Sequence, residues 1–115
     1  MLARENRLLK ADDFRSTMKA GRKVSSDHLV IYLLRNSAET HTRFGFVVAK
    51  ATGGAVKRNL VKRRMREIAR ELLAEIPAGL TVVVRTLPGS AELDWKNLRQ
   101  ELRTSVSTGV SKVAG

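Results

Sequence analysis

The chain lacks cysteine altogether and is poor in aromatic residues, which make up 4% of its 115 residues. Without thiols, the chain cannot form disulfides, use thiol catalysis or build a zinc site on cysteine. No apolar run approaches the roughly 20 residues that span a bilayer. The N-terminal stretch MLARENRLLK also lacks the apolar core of a signal peptide. We therefore expect a cytoplasmic protein that does not enter a membrane.

Acidic residues are scarce relative to basic ones. The chain has 22 Lys and Arg against 11 Asp and Glu, a formal net charge of +11. The surplus also covers residues 1–25, so it is not confined to one tail and suggests one basic surface after folding. A hydrophobic content of 43% is enough for a core. We predict one domain over residues 1–115, with a frayed C-terminal tail at about 107–115.

The segment 57–71, KRNLVKRRMREIARE, carries seven Lys or Arg and two Glu at helical spacing. An apolar stripe runs along one side of this helix through Val61, Met65, Ile68 and, just past the segment, Leu72. The opposite side carries Asn59, Arg63, Arg66 and Arg70. Lys62, Arg66 and Arg70 stack like charges at i,i+4, which destabilises an isolated helix. This pattern favours a polyanion partner over a merely solvated charged face or an anionic membrane surface, because Arg pairs well with phosphate oxygens.

Local patterns predict the element order α-β-β-β-α-β-α. They indicate a helix over 11–20, a strand beginning near Val24, and strands over 28–34 and 43–49 joined as a hairpin. The basic helix, a buried strand over 80–86 and a last helix follow. The apolar stripe of the last helix is predicted to contain Trp95, Leu98, Leu102 and Val106. The fold class is α+β, with one sheet packed by helices.

No set of residues in the sequence suggests a catalytic site. The acids form no pairing typical of a metal nuclease, and His28 and His41 stand alone at a strand start and in a loop. The glycines of AKATGGAVKRN do not fit the P-loop pattern, because no Ser or Thr follows Lys57. From the residues alone, the chain is an RNA or DNA binder without catalytic residues of its own.

The stretch FGFVVAKATGGAVKRNLVKRRMRE, residues 44–67, resembles the signature of the protein subunit of bacterial ribonuclease P. The segment NRLLKADDF (6–14) and the strand LVIYLL with Tyr32 are also similar to that family. The resemblance implies one mixed sheet with a left-handed βαβ crossover through the basic helix. It also implies an RNA-binding subunit of an endoribonuclease that removes the 5′ leader from precursor tRNA. Catalysis then belongs to the RNA subunit with Mg²⁺, the protein itself needs no cofactor, and its partners are ribonuclease P RNA and precursor tRNA, with no obligate protein partner.

The resemblance also implies two sets of binding residues. Contact with the catalytic RNA is expected from Lys50, Lys57, Arg58, Asn59, Lys62, Arg63, Arg66 and Arg70. A cleft for the single-stranded leader is expected at Phe14, Met18 and Tyr32, which could stack on unpaired bases. Leu60 stands where many members have a basic residue, and Met18 where an aromatic residue is common. Plain core packing is the alternative for Phe14 and Met18, and a half-buried strand position for Tyr32.

Two other functions are compatible with the size and charge. A structural rRNA-binding protein of the ribosomal type would co-purify with ribosomal subunits. A sequence-specific DNA binder would read bases with the basic helix, but a face crowded with Arg and holding one Asn favours phosphate contacts.

Overall fold

A computed structural model describes residues 2–36 and 38–114 of the chain. Helices and strands follow the predicted order α-β-β-β-α-β-α within these residues. They are α1 (Ala11–Ala20), β1 (Arg22–Ser25), β2 (Leu29–Arg35), β3 (Arg43–Val47), α2 (Ala55–Leu73), β4 (Leu80–Thr86) and α3 (Trp95–Ala114). Short 3₁₀ turns lie at Arg4–Asn6, Lys50–Thr52 and Ser90–Glu92. None of the helices in this part of the chain is long and apolar enough to cross a membrane.

The four strands form one mixed sheet in the order β1-β2-β4-β3. The predicted hairpin between 28–34 and 43–49 is wrong, because β4 lies between β2 and β3. The observed hairpin joins β1 to β2, and Ser26 N donates to Leu29 O at 2.8 Å in its turn. β4 is the strand paired on both edges, with β2 and β3, and six of its seven residues are buried.

Helix α2 connects the parallel strands β3 and β4, so these three elements form a βαβ unit. Its predicted apolar stripe is confirmed as buried, together with Ala69. Helix α3 packs beside it on the same face of the sheet through Leu98, Leu102 and Val106. Trp95 does not belong to that buried stripe: it is 39% exposed at the first turn of α3.

The last helix runs through the segment that the sequence predicted to be frayed. It continues to Ala114, and Val110 and Val113 pack against the core. Gly109 permits this packing, because a Cβ at that position would overlap Leu33 Cδ1 on β2. The polar, Gly-containing sequence of the tail gave no sign of this long-range contact.

The other face of the sheet is covered only in part. Helix α1 lies over β2 and β4 there. A smaller apolar cluster forms beneath it from Leu8, Val30, Tyr32 and Val83, with Phe14, Met18, Val47 and Leu87 packed against them. The protein therefore has one thick core under α2 and α3 and a thinner layer under α1 that leaves part of the sheet open.

Candidate nucleic-acid interface

The outward side of α2 carries the basic residues that the helical spacing predicted. Asn59, Lys62, Arg63 and Arg66, together with Glu67, line a surface groove of about 470 Å³. Arg63, Arg66 and Arg70 are exposed, and Arg70 lies 3.9 Å from Glu67 in an ion pair. Because α2 buries its apolar stripe against the sheet, these guanidinium groups face solvent as one positive strip.

The remaining basic residues of the predicted set lie apart from this groove. Lys57 turns toward the chain that precedes α3, where its Nζ lies 3.4 Å from Glu92 Oε1. Arg58 is half-buried, and its Nε has no hydrogen-bond partner among the residues that the structure describes. Lys50 is exposed on the 3₁₀ turn between β3 and α2. The structure therefore brings together only part of the expected RNA-binding set in one groove.

A second groove, of about 250 Å³, lies where α2, the edge of β3 and the N-terminal segment meet. Lys62 and Arg66 line this groove as well as the first one. Its other lining residues are Arg7, Leu8, Leu9, Phe14, Phe44, Gly45 and Phe46. The rings of Phe44 and Phe46 are stacked with centroids 6.3 Å apart. Phe44 is a core residue at 1% exposure, so the groove offers the half-buried rings of Phe14 and Phe46 beside basic side chains. That combination is typical of sites that hold unpaired nucleotides.

The N-terminal segment is held against β3, which is what brings its basic residues to α2. Leu8 N donates to Phe44 O at 2.9 Å, and Arg7 Nε donates to Leu2 O at 3.0 Å. The sequence predicted that its separate basic segments would share a surface, and Arg7 does meet Lys62 and Arg66 in one groove.

The three expected cleft residues lie together between α1 and the sheet. Phe14 and Met18 are half-buried, while Tyr32 is buried at 9% exposure. The ring of Phe14 fits closely over β3 because residue 45 is glycine. A Cβ on Gly45 would lie 2.5 Å from Phe14 Cε1. Phe14 and Met18 thus combine core contacts with a solvent-facing side, whereas Tyr32 is closer to a core position.

Sequence reasoning missed two basic residues on this open side of the sheet. Lys23 on β1 lies directly opposite Tyr32, so both side chains are on the same face. Arg85 on β4 is exposed, although its neighbours in that strand are buried. Arg85 is the one charged residue in the run LTVVVRT, and that charge indicates an exposed position within an otherwise buried strand. The prediction of a buried strand did not take it into account.

Several acids of the chain hold the fold together away from the basic grooves. Glu101 accepts hydrogen bonds from Ser26 Oγ at 2.6 Å and His28 N at 2.8 Å, and its other oxygen lies 2.8 Å from His28 Nδ1. Burial by itself would raise the pKa of the Glu101 carboxyl, but these hydrogen bonds together outweigh it and lower the pKa. His28 therefore has a structural role that ties the β1–β2 turn to α3.

The seam between α2 and α3 holds further acids. Arg99 Nε donates to Glu71 Oε1 at 2.7 Å, and Arg103 pairs with both Glu71 and Glu75. The hydrogen bond from Arg103 lowers the pKa of the Glu75 carboxyl. Within residues 2–36 and 38–114, no group of three or more His, Asp or Glu side chains is placed to hold a metal ion.

Several known proteins are similar to this chain in sequence and in architecture. A sequence model of the family described as Ribonuclease P matches residues 2–108. The ribonuclease P protein component of Streptomyces avermitilis is 44% identical over 110 residues, which cover 89% of each chain. That of Clavibacter michiganensis is 36% identical over 113 residues, 98% of this chain and all of the relative.

Solved structures agree with the sequence comparison. The ribonuclease P protein of Staphylococcus aureus, at 26% identity, superposes with a TM-score of 0.83 over 90% of this chain and 94% of that one. The ribonuclease P protein of Thermotoga maritima, at 30% identity, gives a TM-score of 0.76 over 85% and 92%. By its sequence and its fold, this chain belongs to the ribonuclease P protein family.

Proposed function

We propose that this subunit of the ribonuclease P endoribonuclease assists removal of the 5′ leader from precursor tRNA by binding the catalytic RNA and the leader at adjoining surfaces. The observation that carries the proposal is the pair of grooves that share Lys62 and Arg66. One groove is lined by polar and charged residues of α2. The other reaches aromatic rings at the edge of the sheet, so the two together suit a folded RNA and a single strand that meet.

The α2 groove is the proposed contact for ribonuclease P RNA. Asn59, Lys62, Arg63 and Arg66 line it, and Arg forks can each hold two phosphate oxygens. Each neutralised phosphate releases counterions, so this contact should weaken steeply as salt rises. Lys50, Lys57, Arg58 and Arg70 would act at its margins rather than in the groove.

The partly open face under α1 is the proposed cleft for the leader. Phe14 and Met18 are half-buried there, and Tyr32 lies in the same apolar cluster. Aromatic and thioether side chains bind unpaired bases without selecting one base, which suits leaders of different sequence. The groove at the edge of β3 connects this face to α2, because Phe14 and Arg66 both line it.

The protein contributes positioning and electrostatics rather than chemical groups. A positive surface where two polyanions converge lowers their repulsion and favours a productive alignment. The hydrolytic step would belong to the RNA subunit and the Mg²⁺ that it carries. We expect the protein to act in the cytoplasm, with precursor tRNA as the substrate of the holoenzyme.

Reconstitution tests the proposal directly. Precursor tRNA should be cleaved efficiently at low Mg²⁺ when a bacterial ribonuclease P RNA and this protein are both present, and not by the protein alone. Arg66→Ala should weaken association with the catalytic RNA, whereas Lys112→Ala, a matched loss of an exposed charge on α3, should not. Tyr32→Ala should mainly weaken binding of leader-bearing precursor.

Two results would contradict the proposal. If Tyr32→Ala weakened binding of mature tRNA as much as precursor, the cleft assignment would fail. If the protein gave no stimulation and instead bound ribosomal RNA tightly, the structural rRNA-binding alternative would replace it. Melting curves for each variant separate these outcomes from loss of folding, since removing a buried Tyr side chain costs about 3 kcal/mol or more of stability.

A further inference from the structure

Arg85 departs from the pattern of the strand that contains it. Every other residue of β4 is buried, while Arg85 is exposed. β4 lies between two other strands, where β-branched or aromatic residues pack best. An arginine near the end of this strand, between β2 and β3, contributes little to such packing. Its place therefore needs another explanation.

Arg85 lies on the face of the sheet that α1 covers only in part. Its partners across the sheet are Val30 on β2 and Val47 on β3, both members of the apolar layer on this face. Tyr32 pairs with Val83, two residues away from Arg85 on β4, so Tyr32 is a diagonal neighbour at about 7–8 Å between Cα atoms. Arg85 thus stands beside the proposed leader cleft, over an apolar floor.

Among the described residues, the Arg85 guanidinium has no polar partner. Arg43, Arg99 and Arg103 each form ion pairs with acids, but Arg85 makes no ion pair or side-chain hydrogen bond with any residue in the described ranges 2–36 and 38–114. No ion pair joins Arg85 to Asp27, in the turn between β1 and β2, within those described ranges. An unpaired, exposed arginine is available to a ligand without first breaking a contact.

The charge around Arg85 is also positive. Lys23 shares the face of the sheet with Tyr32, and Lys50 follows β3 at the end of the sheet where Arg85 lies. Lys23 on this face and Lys50 beyond the end of β3 add to the positive field of Arg85, which attracts an anionic chain. The apolar floor can carry bases or riboses, while the cations meet phosphates.

We propose that Arg85 binds a phosphate of the 5′ leader next to the nucleotide that contacts Tyr32. This inference rests on the proposed function, in which the open face receives the leader. Arg85 is then a substrate-binding residue that makes affinity depend on leader length, because a leader too short to reach across β4 cannot use it. Its planar fork holds two oxygens of one phosphate, which a lysine cannot do.

The test uses the reconstituted holoenzyme with Arg85→Gln, Arg85→Lys and the control Arg35→Gln. Arg35 is also an exposed strand arginine, but alternation along β2 puts it on the side that faces α2 and α3. We would measure kcat/KM for precursors with leaders of increasing length, inhibition by mature tRNA, and the salt dependence of precursor binding. Melting temperatures of the free proteins check folding.

Arg85→Gln should lower kcat/KM about three- to tenfold for long leaders and leave short leaders and mature tRNA unchanged. The slope of log affinity against log salt should fall by about 0.7, the value for one phosphate of a single strand. Arg85→Lys should restore the slope and only part of the affinity. Arg35→Gln should match the parent protein in all of these measurements.

The inference is overturned if Arg85→Gln behaves as Arg35→Gln does, or if it weakens mature tRNA and precursor equally. Failure of the proposed function looks different. In that case the parent holoenzyme itself would show no preference for leader-bearing precursor, whatever stands at position 85.

Discussion

Gly45→Ala should perturb the proposed leader cleft through packing alone. The backbone tolerates alanine, because Gly45 is not among the glycines with positive φ. The added methyl would lie 2.5 Å from Phe14 Cε1, 2.6 Å from Phe14 Cζ and 3.0 Å from Leu8 Cδ2. Overpacking of this kind typically costs about 1–3 kcal/mol. Because the Phe14 ring is half-buried and can swing outward, we expect a cost of about 1–2 kcal/mol, near the low end.

The assay is a double-mutant cycle with Phe14→Ala. For a domain of this length, each 1 kcal/mol corresponds to about 4 °C in melting temperature, so Gly45→Ala should lower it by about 4–8 °C. In the Phe14→Ala background the methyl meets no ring, and the same change should be neutral or stabilising by up to about 0.5–1 kcal/mol, since glycine weakens a strand. The coupling energy should therefore be at least about 1 kcal/mol.

Gly45→Ala should also lower kcat/KM for precursor tRNA, because a displaced Phe14 ring enters the space proposed for the leader. Mature tRNA should be affected less. If the two substitutions were additive in stability, the close contact between Phe14 and position 45 would not exist in solution, and the argument for a cleft shaped by that glycine would fail.

Two further substitutions test the packing around α3. Glu101→Gln should destabilise the protein by about 1–3 kcal/mol at neutral pH, because it weakens the hydrogen bonds with Ser26 and His28. Since the folded-state pKa of Glu101 is lowered, this stabilisation exists above the unfolded value and is lost as pH falls through the folded one. Urea denaturation should thus show the gap between parent and variant closing below about pH 4, and a gap independent of pH would refute this account. Gly109→Ala should lower the melting temperature, because the added methyl would overlap Leu33. This overlap should outweigh the roughly 1 kcal/mol by which alanine favours a helix over glycine. A rise in melting temperature would indicate that the last turns of α3 do not pack as described.

Local patterns predicted the elements well. The helix over 11–20, the strand over 80–86 and the buried stripe of α2 all lie where the sequence put them. Each depends on side-chain periodicity and end signals within one segment, which the sequence displays directly. The signature over 44–67 also led to the correct family.

Contacts between distant segments were not predictable in the same way. The predicted hairpin between β2 and β3 does not form because β4 lies between them and pairs with both. β4 is more than thirty positions further along the chain than β3, so no local pattern indicates this pairing. The sequence placed Lys57 with the other basic residues expected to contact RNA, but in the fold its ammonium group lies near Glu92. Arg85 looked buried because its strand is, and only the partial cover by α1 exposes it.

The sequence by itself determined that this protein is a basic α+β domain with a cationic helix and the family signature of ribonuclease P proteins. These properties depend on composition, periodicity and motif, all of which are local. The tertiary structure alone decided which cations share a groove, that Gly45 makes room for Phe14, and that Arg85 is exposed on the open sheet face. Such facts depend on which strands pair and which faces the helices cover, and no single segment of the chain carries that information.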